Sequence, residues 1–165
     1  MVGVIDNTET EGRAGHEVGS FGPAHLPRRR CTMSPKIKMQ SEASDAVVFN
    51  GFVNQYLFRP IRVEPGQRIR AWVLDAGPSE NCSFHVIGTI FDTVFKEGAY
   101  LLRPDDTRGG SQALDLQPAQ GGFVEFSFDD AGLYPFVTHK FANPGKGALG
   151  MFQAGDVEAP ADSGG

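Results

Sequence analysis

The segment NCSFHVIGTIFDTVF, residues 81–95, places a histidine inside a run of strand-forming residues. Phe84 and Val86 flank His85, and Cys82 lies three residues before it. An imidazole in this setting has three possible roles. It can be a hydrogen-bonded core residue, it can bind copper together with the cysteine thiolate, or it can transfer protons, because histidine titrates near neutral pH.

A second histidine, His139, ends the run GLYPFVTH. The residues around it show whether the sequence contains the ligands of a copper site. A type 1 (blue) copper site needs two histidines, a cysteine thiolate and usually a weak axial methionine. Val137 and Thr138 precede His139 where a cysteine would be needed, and the first methionine after Cys82 is Met151. The pattern argues against type 1 copper and favours Cys82 as a small buried apolar residue. One histidine can still contribute to a site that another chain or domain completes.

Length, composition and charge narrow the class of protein. The 165 residues are 40% apolar and 21% charged with a net charge of −5, which is typical of one globular domain and gives no reason to expect nucleic-acid binding. No apolar stretch approaches the roughly 18 residues of a membrane span. The N-terminus lacks the basic and apolar regions of a secretory signal, so we expect either a cytoplasmic protein or a piece of a longer one. Cys31 and Cys82 fall in different regions, and we do not expect them to form a disulfide.

Short β-branched and aromatic runs separated by turn residues begin near residue 45. AVVFNG predicts a strand that ends in a turn at Asn50-Gly51, and RPIRVEPGQRIRAWVLDAG predicts two strands around the turn at residues 64–67. No segment has the length and 3.6-residue period of a long helix.

The spacing of these runs predicts an all-β sandwich of about eight strands. We assign residues 45–155 to this domain. Residues 1–44 are rich in Gly, Pro, Ser, Glu and Arg without hydrophobic periodicity, which predicts a disordered or linker-like N-terminal tail. Residues 156–165 are predicted to be a C-terminal tail.

Three segments together are similar to a known family. FHVIGTIFDTVFKEG, QALDLQPAQGGFVEFSFDDAGLYPFVTH and KGALGMFQAG resemble the C-terminal cupredoxin domain of copper-containing nitrite reductases and of nitrite reductase-like multicopper oxidases. The likeness spans about residues 45–155 and depends on the order of four motifs: His-x-Ile-Gly, Pro-x-x-Gly-Gly, Gly-x-Tyr-x₄-His and Gly-Ala-x-Gly. It implies a Greek-key β-sandwich of the cupredoxin type.

The resemblance also implies roles for individual residues. Subunits of that family have two cupredoxin domains and form a homotrimer. The first domain holds type 1 copper and two type 2 copper ligands, and the second domain of a neighbouring subunit supplies the third. Carried over, His139 is this type 2 ligand, His85 is a catalytic histidine that does not bind the copper, and Ile87 crowds the substrate pocket. Gln112 is a candidate supporting group near His85.

The function implied by the resemblance is the one-electron reduction of nitrite to nitric oxide. The cofactor would be type 2 copper shared between subunits, and a type 1 copper-bearing domain of the same or a neighbouring chain would be required. The chain alone is therefore not expected to turn over. The family also implies a periplasmic or otherwise extracytoplasmic location.

Two alternatives remain. A laccase-type multicopper oxidase domain needs paired His-x-His motifs, which the sequence lacks. A non-catalytic cupredoxin-like structural or interaction module needs neither His85 nor His139, yet both are present at the matching positions.

Overall fold

The computed structural model describes residues 2–6, 35–104 and 109–157, and the structural statements below concern these residues. They form ten strands, two short α-helices and one 3₁₀ turn. The elements are β1 Val2–Asp6, α1 Pro35–Gln40, α2 Gln55–Phe58, β2 Ile61–Val63, β3 Ile69–Asp75, β4 Cys82–Val86, β5 Thr93–Lys96, β6 Ala99–Leu102, β7 Ala113–Leu116, β8 Gly121–Phe126, β9 Gly132–Thr138, the 3₁₀ turn Pro144–Lys146 and β10 Leu149–Ala154.

The strands make two five-stranded sheets. The first sheet has the order β1-β3-β8-β5-β6 and the second has the order β2-β10-β9-β4-β7. All neighbouring pairs are antiparallel except β10 and β2, which are parallel. The predicted all-β sandwich is therefore confirmed. The nine strands β2 to β10 fall within residues 45–155, against about eight predicted.

Alternating burial along the strands builds the core between the sheets. In β3, Ile69, Ala71 and Val73 are buried, whereas Arg70 and Trp72 are only partly buried, as the period-two pattern predicts. Phenylalanine dominates the interior because one ring fills the space of several aliphatic groups. The fully buried rings are Phe49, Phe84, Phe91, Phe126, Phe128, Phe136 and Phe152.

The predicted turn at residues 64–67 is present, with the Gln67 amide donating to the Glu64 carbonyl at 3.0 Å. The strands on either side of this turn, β2 and β3, belong to different sheets, so the turn crosses the sandwich.

The AVVFNG run forms less strand than expected. Only Phe49 and Phe52 form an isolated bridge, around a turn in which Asn50 and Gly51 both have positive φ. The backbone just before this turn bonds to a loop instead of a neighbouring strand, since the Val47 amide donates to the Lys146 carbonyl at 3.2 Å. The turn is as predicted, but the regular strand is not.

Two segments within the predicted tail, residues 1–44, have regular structure. β1 pairs antiparallel with β3, with Val2 opposite Asp75 and Asp6 opposite Ala71, because VGVID is a strand-forming sequence that meets an edge of the first sheet. α1 begins at a proline, which suits the first turn of a helix. Residues 7–34, including Cys31, and 158–165 lie outside the described residues. Within the described ranges, no helix is long and apolar enough to cross a membrane.

Candidate metal centre

Strand β4 directs its side chains alternately to the two sides of the second sheet. Cys82, Phe84 and Val86 are buried in the core, whereas Ser83 and His85 lie on the outer side and are partly exposed. Residues three apart in a strand point in opposite directions. Cys82 and His85 therefore cannot bind the same copper ion, which removes one of the three roles considered for His85.

His139 follows directly after β9 and reaches the same outer face. Its backbone amide donates to the Ser83 carbonyl at 2.7 Å, which extends the pairing of β9 with β4. The register brings His139 beside His85, with ring centroids 5.3 Å apart and ring planes inclined at 47°. The His139 side chain is exposed, and its ring lies 5.8 Å from that of Phe141.

Within the described residues, one hydrogen bond orients the His85 ring. Its Nδ1 contacts the backbone carbonyl oxygen of Gln112. Because a carbonyl can only accept, Nδ1 carries the hydrogen and donates it, and in the neutral ring Nε2 is left as the free acceptor. Gln112 was expected to be a supporting group near His85, and the contact exists, although it runs through the main chain and not the amide side chain.

Ile87 lies two residues beyond His85, and its amide donates to the Pro135 carbonyl at 2.8 Å. Its side chain is 45% exposed, and Phe141, next to His139, is 76% exposed. Both side chains are therefore open to solvent near the two imidazoles. The sequence motifs do not single out Phe141, because only the folded loop shows how exposed it is.

Cys82 is held as a thiol. Burial raises the pKa of Cys82 to about 12, although a hydrogen bond with Thr138 acts in the opposite direction. A thiol that stays protonated at neutral pH is a poor copper ligand, since the thiolate is the binding form. This agrees with its interpretation as a small apolar core residue.

The donor set on this face is incomplete for a protein-bound metal. Among the described residues, no group of three or more His, Cys, Asp or Glu side chains is placed to hold an ion. Imidazole nitrogen suits copper, and His139 presents an exposed ring with no hydrogen bond to another described residue. The residues present thus fit one ligand of a copper site whose other ligands come from elsewhere.

One of the motif glycines is explained by close packing between strands. Gly150, the last residue of Gly-Ala-x-Gly, faces Phe136 across the β9–β10 pair. A Cβ at this position would lie 2.1 Å from the Phe136 ring. The motif therefore allows β10 to pack against β9, the strand that carries His139 at its end.

Comparisons with known proteins give a consistent result. No family model matches the chain. It is 34% identical over 125 residues to the copper-containing nitrite reductase of Neisseria gonorrhoeae, which covers 74% of this chain and 31% of that protein. It is 29% identical over 128 residues to the multicopper oxidase mco of Staphylococcus haemolyticus, which covers 73% of this chain and 27% of that protein. The solved structure of the Cu-containing nitrite reductase (NirK) from Thermus scotoductus SA-01 matches with a TM-score of 0.63 and 31% identity over 72% of this chain and 27% of that one.

The two-sheet fold and these similarities define the chain as a cupredoxin-type β-sandwich domain. More particularly, it is a nitrite reductase-like cupredoxin domain, similar to copper-containing nitrite reductases and multicopper oxidases. The resemblance drawn from the sequence motifs is confirmed. The chain spans about 31% of the length of the nitrite reductase relatives it matches.

Proposed function

We propose that this chain is the second, C-terminal cupredoxin domain of a copper nitrite reductase-like enzyme, which reduces nitrite to nitric oxide. In this proposal His139 is one ligand of a type 2 copper shared between subunits, and His85 is the catalytic proton donor beside it. The observation that carries the proposal is the pairing of the two rings on the outer face of the second sheet, 5.3 Å apart.

The exposure of His139 supports its role as a ligand. A structural histidine in a core is enclosed by its hydrogen-bond partners, whereas the His139 side chain lies on the surface and, among the described residues, contacts the rings of His85 and Phe141. Copper, when bound there, would supply Lewis acidity toward a nitrite oxygen. The remaining ligands would come from the first domain of a neighbouring subunit, as the family resemblance implies.

The hydrogen bond of His85 supports a role in proton transfer. The Gln112 carbonyl fixes Nδ1 as a donor, so Nε2 is the atom that gains and releases a proton toward the substrate. Reduction of one nitrite ion takes one electron and two protons and yields nitric oxide and water. His85 would deliver one proton to the departing oxygen. A type 1 copper-bearing domain would supply the electron.

Ile87 provides the apolar boundary of the proposed pocket. Its 45% exposed side chain comes directly after β4, the strand of His85, so it would limit the orientations in which a small anion can approach. Phe141 extends the apolar surface on the His139 side, at 76% exposure. A covering domain would bury both side chains and exclude water from the reacting atoms.

The assembly follows from the same proposal. The partner is a type 1 copper-bearing cupredoxin domain of the same or a neighbouring chain, arranged as a homotrimer. Nitrite is the substrate, and the location is periplasmic or otherwise extracytoplasmic.

The test combines this chain with a first domain. The adjoining coding sequence is first inspected for a domain with a Cys-to-His-to-Met copper loop, and that domain is produced together with this chain. We expect nitrite-dependent nitric oxide formation from the combination and none from either part alone. A copper-loaded combination that assembles but forms no nitric oxide would contradict the proposal.

A multicopper oxidase domain is the second candidate, favoured by the 29% identity to the multicopper oxidase mco. The absence of a His-x-His pair in the sequence weighs against a trinuclear copper cluster. The same combination assayed for dioxygen consumption with a phenolic or metal-ion reductant separates the two candidates.

A further inference from the structure

A small cavity lies beneath the loop that follows His139. Its volume is about 70 Å³. That is room for more than one water molecule or for a partly hydrated ion. Its polar lining comes from four places in the chain: Ser44, Asp75 at the end of β3, Glu80 and Asn81 before β4, and Thr138 and Asn143 around the His139 loop.

Three buried oxygen atoms around this cavity have no hydrogen-bond partner among the described residues. They are Asp75 Oδ2, Glu80 Oε2 and Asn143 Oδ1. Asp75 and Asn143 are each only 1% exposed. Unpaired buried acceptors are rare because each costs free energy, so three around one cavity indicate an occupant.

The Asp75 carboxylate is fixed in place by its other oxygen. Oδ1 accepts a hydrogen bond from the Gly77 amide at 2.9 Å. Burial raises the pKa of the Asp75 carboxyl above its ordinary value, although hydrogen bonds from the backbone amides of Gly77 and Cys82 act in the opposite direction. Lys140 offsets part of the charge of the neighbouring Glu80 carboxylate, because its Nζ lies 3.4 Å from Glu80 Oε2. The two atoms do not have the geometry of a hydrogen bond.

The chemistry of these three oxygen atoms indicates which ion or molecule would occupy the cavity. All three are hard oxygen acceptors, and two belong to carboxylates, so a cation satisfies both their lone pairs and their charge. Water would satisfy only the lone pairs. Calcium accepts irregular mixtures of carboxylate, amide and water oxygens, whereas magnesium requires a near-ideal octahedron. We propose that this cavity binds one calcium ion through Asp75, Glu80 and Asn143.

The ion would join the segment before β4 to the loop after β9. These are the two segments that lead into and out of the His85–His139 face. Calcium would therefore stiffen the loop that holds His139. This consequence for the copper face rests on the proposed function, but the calcium site itself does not.

The experiment uses the full chain, stripped with EGTA and free of copper and nitrite, so its outcome is independent of the nitrite reductase proposal. Irregular sites of this kind bind with Kd values of about 10⁻⁴ to 10⁻³ M, so about 5 mM calcium is a suitable test concentration. We expect calcium to raise Tm by several degrees, because it binds only the folded chain. Magnesium should have a much smaller effect. Flow dialysis should give one calcium ion per chain.

Asp75→Asn should abolish the calcium response, whereas Asp156→Asn, which removes the same charge from an exposed position, should keep it. If Asp75→Asn does not fold, Glu80→Gln should bind calcium roughly tenfold more weakly, since affinity follows the charge of the ligand set. No Tm shift at this calcium concentration would overturn the proposal, and so would an equal shift in a folded carboxyl variant. If calcium has no effect while the stripped chain gains stability on acidification, a proton on Asp75 is the occupant and the calcium site is refuted.

Discussion

The polar side chains on the outer faces of the two sheets differ in the partners they have within the chain. On the first sheet, the charged side chains form ion pairs with one another. Arg68 donates to Asp92 Oδ1 and to Glu125 Oε2, both at 2.7 Å, and Arg70 donates to Glu125 Oε1 at 2.7 Å. The Arg70 guanidinium also lies 4.7 Å from the centre of the Phe123 ring.

On the second sheet, the polar groups are left open. His85 uses one ring nitrogen for the Gln112 carbonyl, and the His139 ring makes no hydrogen bond within the described part of the chain. Ile87 and Phe141 remain exposed beside them. The charged groups of the first face are paired within the single chain, whereas the histidines of the second face have the features of a face completed by a partner. Exposed apolar side chains do not separate the two faces, because Leu74 on the outer side of β3 is as exposed as Ile87, at 45% each. The comparison therefore predicts that substitutions on the first face act on stability and those on the second face act on copper and turnover.

The largest expected effect is the loss of the metal from the second face. In an assembly with the proposed first domain, His139→Ala should empty or greatly weaken the proposed type 2 copper site, because it removes one of the three nitrogen ligands of the proposal. Type 1 copper should be unchanged, since its ligands lie in the other domain, and it serves as the internal control. Metal analysis and electron paramagnetic resonance measure both sites. Full type 2 occupancy in the variant would contradict the assignment of His139.

His85→Ala should keep the copper and lose the rate. Positioned acid–base groups contribute about 10²- to 10⁴-fold, so turnover at saturating nitrite should fall at least roughly 10²-fold. A purely structural His85 would instead lower stability, by about 1–3 kcal/mol for a buried partner left unpaired, with near-normal turnover of the folded enzyme. A ligand role would cost copper. Copper content, Tm and turnover of this one variant separate the three cases.

Glu125→Gln tests the first face, where we expect a change in stability and none in copper. The carboxyl is 10% exposed and accepts from both arginines, so removing its charge should cost roughly 1–3 kcal/mol of unfolding free energy. Glu64→Gln, at an exposed turn position, is the matched control and should change little. Chemical denaturation measures both variants.

The pH dependence gives a second test of the same network. Burial alone would raise the pKa of Glu125, but hydrogen bonds from Arg68, Arg70 and Thr93 outweigh it and hold the pKa below its ordinary value of 4.5. A lowered pKa in the folded state means that the stabilisation is fully present above pH 4.5 and is lost as the pH falls through the folded-state pKa. Glu125→Gln should flatten this acid loss. An unchanged acid profile would show that the network contributes nothing.

The sequence was sufficient for the features that depend on periodicity and motif order. Alternation in β3 predicts its inward and outward sides, and the ordered glycine and histidine motifs resemble those of the cupredoxin domain. β1 was missed because its pairing with β3 joins residues about 70 positions apart, and such pairing leaves little trace in local sequence.

The candidate site was predicted in part. His85 and His139 stand out by residue type, but their separation depends on the β4–β9 register, which the sequence does not give. The partner of His85 is a main-chain carbonyl, which every residue has, so side-chain identity at position 112 carries no signal for it. The cavity lined by Asp75 and Asn143 depends on loop packing and was likewise not foreseen. The roles of His85, Ile87 and His139 stay predictions.

Gln112→Ala should have a small effect, in contrast to His85→Ala. The substitution keeps the carbonyl that accepts from His85 Nδ1, so the ring should stay oriented and turnover of the assembly should change by less than about tenfold. Its side chain is exposed, so stability should hardly change. A loss of turnover as large as that of His85→Ala would show that the amide side chain takes part in proton transfer.

The smallest expected effect is the absence of a blue copper absorption band. Purified chain given excess copper(II) should show no intense blue thiolate-to-copper absorption. Cys82 is 1% exposed, its pKa is raised to about 12, and it points to the opposite side of β4 from His85. It therefore presents neither a thiolate nor a neighbouring imidazole to a metal ion. An intense visible band that disappears in Cys82→Ser would contradict this geometry. A band that persists in Cys82→Ser would instead implicate Cys31, which lies outside the described residues. Either result would mean that this chain binds copper through a cysteine without a partner. The open face of the second sheet indicates the opposite, namely that copper binding requires a partner.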